Sequence, residues 1–221
     1  MSLAIFDLDN TLLGDDSDYL WGQFLVQQNL VDGEHYQREN QRFLDEYKAG
    51  TLDIFEFLAF SLEPLTRLER DQLDRLHARF MEEKIRPVMQ PAAFALLDKH
   101  RERGDTLLII TATNSFITAP IAHALGVDEL IATEPEQVDG RYTGRVAGTP
   151  CFREGKVERL DQWLAEHDRS LDDSWFYSDS HNDLPLLERV TQPVAVDPDP
   201  ELARHAEARG WPIISLRPDT A

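Results

Sequence analysis

Apolar and polar positions change their spacing twice along this chain. Leu3–Phe6 is a short apolar run that stops at Asp7, the pattern of a buried strand. Over 19–85 the apolar positions recur at helical spacing, and no stretch alternates as a strand does. The segment 19–29 carries Leu20, Phe24 and Leu25 on one stripe. The segment 34–49 carries Tyr36, Phe43, Leu44 and Tyr47, with Gly50 placed to close it. Asp53 opens a very apolar helix over 54–62, which Pro64 ends. The segment 69–85 puts Leu73, Leu76 and Phe80 on one face. Four such segments predict an all-helical insert directly after the first strand.

At Pro91 the pattern changes again. Pro91 suits the first turn of a helix, predicted over 91–103 with Gly104 just past it. Residues 106–110 read as a buried strand, 115–125 as a helix closed by Gly126, and 130–132 as a short strand. Residues 138–146 read as a hairpin around Asp139-Gly140. A helix over 155–167 keeps Val157, Leu160 and Leu164 in register, and 175–177 is a strand running into a polar turn. Pro185 sits in the first turn of the next helix. Segments 193–196 and 213–216 are the last strands, with a helix over 200–209 between them. Strand–helix alternation with short links predicts an α/β fold, a mostly parallel sheet covered on both faces. Ligands of such sheets bind beyond the C-terminal strand ends.

Composition narrows the function. At 221 residues and 42% hydrophobic content the chain can bury a sizeable core. A net charge of −19 argues against nucleic acid or an anionic membrane as partner, but leaves room for a small anionic substrate beside a local cation. The single cysteine, Cys151, excludes a disulfide framework and reads as a packing residue. With no secretory leader pattern and no membrane-length apolar run, the expected location is cytoplasmic. Oligomeric state is not encoded in any of these features.

Three polar clusters stand at predicted strand ends: Asp7/Asp9/Thr11, Thr111/Thr113/Asn114 and Asp179/Asn182/Asp183. In extended backbone Asp7 and Asp9 share a face, and two such carboxylates call for a cation between them. Asp7, Asp9, Asp179 and Asp183 together offer only hard oxygen ligands, which suits Mg²⁺. Asp183 also stands where it could cap the following helix. Thr111 follows an apolar strand and precedes a helix, a place where a phosphate is readily held. Lys156 lies in the first turn of its helix, where a cation is disfavoured by the dipole. It reads either as a solvated lysine or as a charge placed against phosphoryl oxygens.

The order D-x-D-x-T-L at 7–12, a Thr after an apolar strand, a lone Lys, and D-S-x-N-D at 179–183 resembles the haloacid dehalogenase superfamily of phosphatases. The resemblance spans essentially the whole chain. The insert is similar to the cap of the phosphoserine-phosphatase-like branch. It implies a three-layer Rossmann-like core from 1–14 and 87–221, with a helical cap over 15–86 hinged near Gly14 and near 87–91. It also implies roles. Asp7 is the nucleophile that becomes an aspartyl phosphate, and Asp9 is the general acid and then base. Asp7, the Asp9 carbonyl and Asp179 hold Mg²⁺, with Asp183 supporting them, and Thr111, Lys156 and Asn182 hold the phosphoryl group. Two motifs depart from the family pattern: Ser178 precedes Asp179 where Gly is common, and Thr111-Ala112-Thr113 replaces the Ser-Gly-Gly of phosphoserine enzymes.

The insert should choose the leaving group. Asp16, nine positions after Asp7, matches the residue that binds the substrate amine in phosphoserine phosphatases. Their carboxylate-binding arginine aligns with Ala59, and a carboxylate buried without a cation is costly. An amine-bearing phosphate without a carboxylate fits better, and L-histidinol phosphate is such a metabolite; the acidic run Asp15, Asp16 and Asp18 suits its amine and imidazole. A phosphoserine phosphatase or a phosphotransferase would use the same aspartate. A phospho-receiver signalling module also clusters Asp, Thr and Lys at strand ends, but lacks a helical cap and is shorter.

Overall fold

A computed structural model describes residues 2–218. Seven strands form one sheet: β1 (Leu3–Phe6), β2 (Thr106–Asn114), β3 (Glu129–Val138), β4 (Arg141–Ala147), β5 (Ser174–Ser178), β6 (Gln192–Val196) and β7 (Ile213–Ile214). Their order is β4-β3-β2-β1-β5-β6-β7, parallel throughout except for the β3–β4 hairpin. Asp139 and Gly140 make the hairpin turn, both at positive φ (50° and 77°), as the tight two-residue turn requires.

Strand alternation divides the core into two layers. Ala4, Phe6, Leu107, Ile109, Tyr177, Val194 and Val196 face one apolar cluster. Leu3, Ile5, Leu108, Ile110, Phe176 and Ala195 face the other. A strand buried on both faces reads as an unbroken apolar run, which is why these were visible as runs rather than alternations. The second layer is closed by α7 (Glu154–Glu166), α8 (Leu184–Leu187) and α9 (Pro200–Arg209) through Leu160, Leu187, Leu202 and Ala206. The first is closed by α5 (Pro91–Glu102) and α6 (Ser115–Leu125).

Between β1 and α5 lie the four insert helices, α1 (Ser17–Gln27), α2 (Gly33–Lys48), α3 (Ile54–Leu62) and α4 (Arg70–Phe80), the last running on through a wider turn at Met81–Ile85. Asp16, Asp32 and Asp53 cap the first three, each accepting from a backbone N–H inside the helix. The insert is not a free lobe. Trp21 packs edge-on to Phe80 (5.0 Å) and to Phe116 of α6 (5.4 Å), which joins its interior to the sheet's first layer. Its two stems meet at Leu13 and Met89, which bridge in antiparallel fashion, and Gly14 N–H donates to the Val88 carbonyl (2.7 Å). No described helix is long and apolar enough to cross a membrane.

Candidate active site

β1 delivers Asp7 to the C-terminal edge of the sheet. Its N–H donates to the Tyr177 carbonyl at 2.9 Å, so strand geometry persists one residue beyond Phe6. The chain then coils tightly over Leu8–Leu12, with Asn10 at φ 57°, a left-handed position that Asn tolerates better than most residues. This coil corrects the expectation that Asp7 and Asp9 share one strand face. Asp9 has left the strand, and the two carboxylates have separate partners. Asp9 accepts from the Ser17 N–H (2.7 Å) and from the Thr113 hydroxyl (2.8 Å), with Thr111 farther off at 3.5 Å.

The cation beside Asp7 is Lys156. Its Nζ lies 2.7 Å from Asp7 and 2.8 Å from Asp183, all three side chains buried. Asp183 also accepts from the Ser178 hydroxyl (2.7 Å), so its carboxylate makes no hydrogen bond to the helix it precedes. Thr11 closes the set, its hydroxyl 3.0 Å from Asp179 and 3.5 Å from Asp7. Asp7, Asp9, Thr11, Thr111, Lys156, Asp179 and Asp183 thus meet at one end of the sheet.

Asn182 and Asp16 both have partners within the fold. The Asn182 amide accepts from Arg153 Nε (2.9 Å) and donates to the Tyr47 carbonyl (3.1 Å) and the Ser180 hydroxyl (3.2 Å). Its polar atoms tie the 180s turn to the end of α2 rather than reaching the acid cluster. Asp16 lines the cavity but also caps α1 through the Tyr19 N–H (2.8 Å). Cys151 is buried and its thiol is pushed up to about 12 by burial, in keeping with a packing residue.

Electrostatics follow from burial. Asp7 is pushed up to about 7 by burial, against the pull of Lys156. Asp9 is pushed up to about 6 by burial and by the charge of Asp16. Asp179 is held well above the carboxylate range by burial and then by Asp7. Burial works against the Lys156 ammonium, but Asp183 and Asp7 hold it charged, well above the ordinary lysine value. The cluster is therefore short of positive charge, and its free donors are hard oxygens, which fits a divalent ion such as Mg²⁺. Among the described residues no three acidic, His or Cys side chains form a ready-made cage. The reason is visible: Asp183 is turned to Lys156 and Ser178, and the Asp9 carboxylate is turned to Ser17 and Thr113. Two carboxylates, Asp7 and Asp179, remain, and Mg²⁺ commonly keeps several waters beside so few protein ligands.

Above the cluster, α1, α2 and the start of α3 roof a cavity of about 50 Å³. Its walls carry the acids Asp16 and Asp18 and the rings of Tyr19, Phe43, Tyr47 and Phe57; among the described residues neither Arg nor Lys lines it. Ala59 lies exposed on α3, outside the cavity. The lack of a cation for a substrate carboxylate is therefore read from the cavity wall and not from the position of Ala59. Arg42 and Arg67, the nearby alternatives, are paired outside with Glu39, Glu46 and Glu56, and with Glu63. Thr11, Thr113, Ser178 and Arg153 join the residues that the sequence assigns to the site. Thr11 and Thr113 stand inside quoted motifs, and nothing in the sequence marks Arg153.

This fold and this acid–lysine cluster define a haloacid dehalogenase-like hydrolase. Residues 4–188 match that family, and the chain belongs to it. Over 220 residues it is 46% identical to a histidinol-phosphatase of Neisseria meningitidis serogroup C, covering 98% of this chain and 99% of the relative. A Bordetella pertussis protein of unknown function has a solved structure that is 48% identical, with a TM-score of 0.92 over 98% of this chain and 99% of that one. A substrate-bound phosphoserine phosphatase shares the fold at 19% identity, with a TM-score of 0.71 over 97% and 92% of the two chains.

Proposed function

We propose that this haloacid dehalogenase-like phosphatase hydrolyses L-histidinol phosphate, with Asp7 as nucleophile. The observation that carries the substrate is the cavity wall, acidic and aromatic with no Arg or Lys. A phosphoserine carboxylate there would meet Asp16 and Asp18 without a cation, which is expensive. An amine and an imidazole would meet acceptors and ring faces. The 46% identical relative bears the name histidinol-phosphatase, which supports the same reading.

The chemistry follows from the positions. An Asp7 oxygen attacks phosphorus, the Asp7 O–P bond forms and the bond from phosphorus to the substrate alkoxide breaks. Asp9, pushed up to about 6, carries a proton in a useful range and gives it to the alkoxide; it then takes a proton from water, which attacks the aspartyl phosphate and frees Asp7. Lys156 holds Asp7 in place, and its charge favours the ionised nucleophile. Thr111 lies beside the phosphoryl path, while Asn182 acts as a strap. Asp7, Asp179 and the Asp9 carbonyl would hold Mg²⁺ with Asp183 behind them. When bound, that ion supplies positive charge for the phosphoryl oxygens.

The insert over 15–86 acts as a lid on the core formed by 1–14 and 87–221. A cavity of about 50 Å³ admits only a few waters, so the substrate enters when α2 and α3 lift about the Leu13–Met89 stem. The test is phosphate release with Mg²⁺ from histidinol phosphate, phosphoserine and O-phosphoethanolamine, run beside Asp7→Asn. Histidinol phosphate is expected to lead in kcat/KM by at least about tenfold, and Asp7→Asn to abolish release. Equal turnover of phosphoserine removes the substrate reading; appreciable activity of Asp7→Asn removes the nucleophile.

A further inference from the structure

One acidic side chain in the cavity wall has no role in the chemistry and no partner of its own. Asp18 is 8% exposed, and its Oδ2 is fully buried with no hydrogen-bond partner among the described residues. It stands in the first turn of α1 and lines the same cavity as the rings of Phe43, Tyr47 and Phe57. The other acids nearby are engaged: Asp9 with Ser17 and Thr113, and Asp16 with the end of α1. A buried carboxylate oxygen left without a donor is costly and rare. Selection tolerates such a cost where a ligand supplies the missing donor.

We propose that Asp18 is the specificity residue of this site, its buried carboxylate accepting the ring N–H of an imidazole-bearing phosphate seated against Phe43, Tyr47 and Phe57. This deepens the histidinol phosphate reading and rests on it. The geometry separates two cationic groups. Asp16 lies on the side of the catalytic acids, where its charge acts on Asp9, and the substrate amine is attached close to the ester carbon. Asp18 is two residues farther along the chain, at the first turn of α1. An ammonium wants several acceptors around three N–H groups; an imidazole edge presents one N–H and otherwise asks for ring faces. Asp18 offers the wall an acceptor oxygen with no partner, and aromatic side chains line the same cavity. Asn40, an amide in that wall, already donates to the Tyr19 carbonyl (3.0 Å). Burial holds Asp18 well above the ordinary carboxylate range, with Asp16 and Asp9 adding to it, and a donor brought by a ligand would relieve that cost.

The experiment compares wild type, Asp18→Asn and Asp16→Asn on three substrates. These are histidinol phosphate, 3-(imidazol-4-yl)propyl phosphate (ring without amine) and O-phosphoethanolamine (amine without ring). Asp18→Asn is expected to lower kcat/KM about 10- to 100-fold on the two imidazole substrates, mostly through KM. Its loss on O-phosphoethanolamine should be at least about tenfold smaller, and Asp16→Asn should show the opposite preference. A second readout distinguishes recognition from support. Replacing an unpartnered buried carboxyl should leave the Tm of the substrate-free enzyme unchanged or higher, whereas a structural Asp18 would lower it. Equal losses on all three substrates, or a lowered Tm with unchanged selectivity, overturn the proposal while wild-type turnover of histidinol phosphate still stands. A wild-type enzyme indifferent to histidinol phosphate overturns the substrate reading and this assignment together.

Discussion

Lys156 decides whether the acid cluster can exist at all. Its ammonium is the cation shared by Asp7 and Asp183, and all three groups are buried. Breaking such a pair from one side leaves uncompensated charge and typically costs about 3–5 kcal/mol. Lys156→Met should therefore lower the Tm sharply and reduce kcat by about 10²–10³-fold or more. Lys156→Arg should not restore activity, because a planar fork cannot replace a point charge in a closed space. Phosphate release and thermal unfolding on both variants check this; a stable, active Lys156→Met would show that the pair is dispensable. The sequence made Lys156 conspicuous through its place in the first turn of a helix. Its second partner, Asp183, was legible only as an acid with several possible uses. The reason lies in tertiary contact: Ser178 and Lys156 reach Asp183 from different elements, and no spacing in the chain records that.

At the scale of elements, helix ends were the most legible features because local chemistry sets them. Asp53, Gly126 and Pro200 mark the boundaries of α3, α6 and α9 where the expected signals stood. Strands β2 and β3 run longer than expected, to Asn114 and Val138, because polar residues continue them. Pairing with a neighbour rather than hydrophobicity sustains those extensions: β3 pairs with β4 as far as Val138. The same limit hid the coil that separates Asp7 from Asp9. A further local constraint sits at the start of α7. A Cβ on Gly155 would collide with the Pro150 carbonyl oxygen, so any other residue there forces the start of the helix to shift. Gly155→Ala must move the first turn that carries Lys156. Overpacking of this kind costs about 1–3 kcal/mol or more. It should reduce phosphate release along with stability. Gly33→Ala, at the first residue of α2 with its nearest contact at an ordinary 3.6 Å, should be neutral or stabilising by up to about 1 kcal/mol. Equal behaviour of the two variants in denaturant titrations would refute the assigned clash.

At the scale of the molecule, the insert and the core are one apolar body along one seam, and His77 lies in it. His77 is 5% exposed and packs against Trp21, Phe80 and Phe116. Its Nε2 donates to the Ile117 carbonyl of α6 at 3.0 Å. Burial holds its pKa below the ordinary 6.5, against the Ile117 carbonyl, which favours the charged form. His100, under Phe6 and Tyr177, is shifted in the same direction by burial although Asp105 pulls against it. The sign follows from linkage. With the folded pKa below the unfolded one, the unfolded chain takes up protons first as pH falls. The contribution of each histidine to stability is complete above about pH 6.5, shrinks as pH falls below that value, and levels off only under the folded pKa. Other groups titrate in the same range, so the test is a difference. The unfolding free energy of wild type minus that of His77→Gln should fall between about pH 7.5 and about pH 5. Because the seam joins α4 to α6, the change should be accompanied by earlier hydrogen exchange in α1 and α4 than in β1 and β2. A pH-independent difference would mean that His77 is not held neutral at this seam, and that the insert gains its attachment from Trp21 and its aromatic neighbours alone.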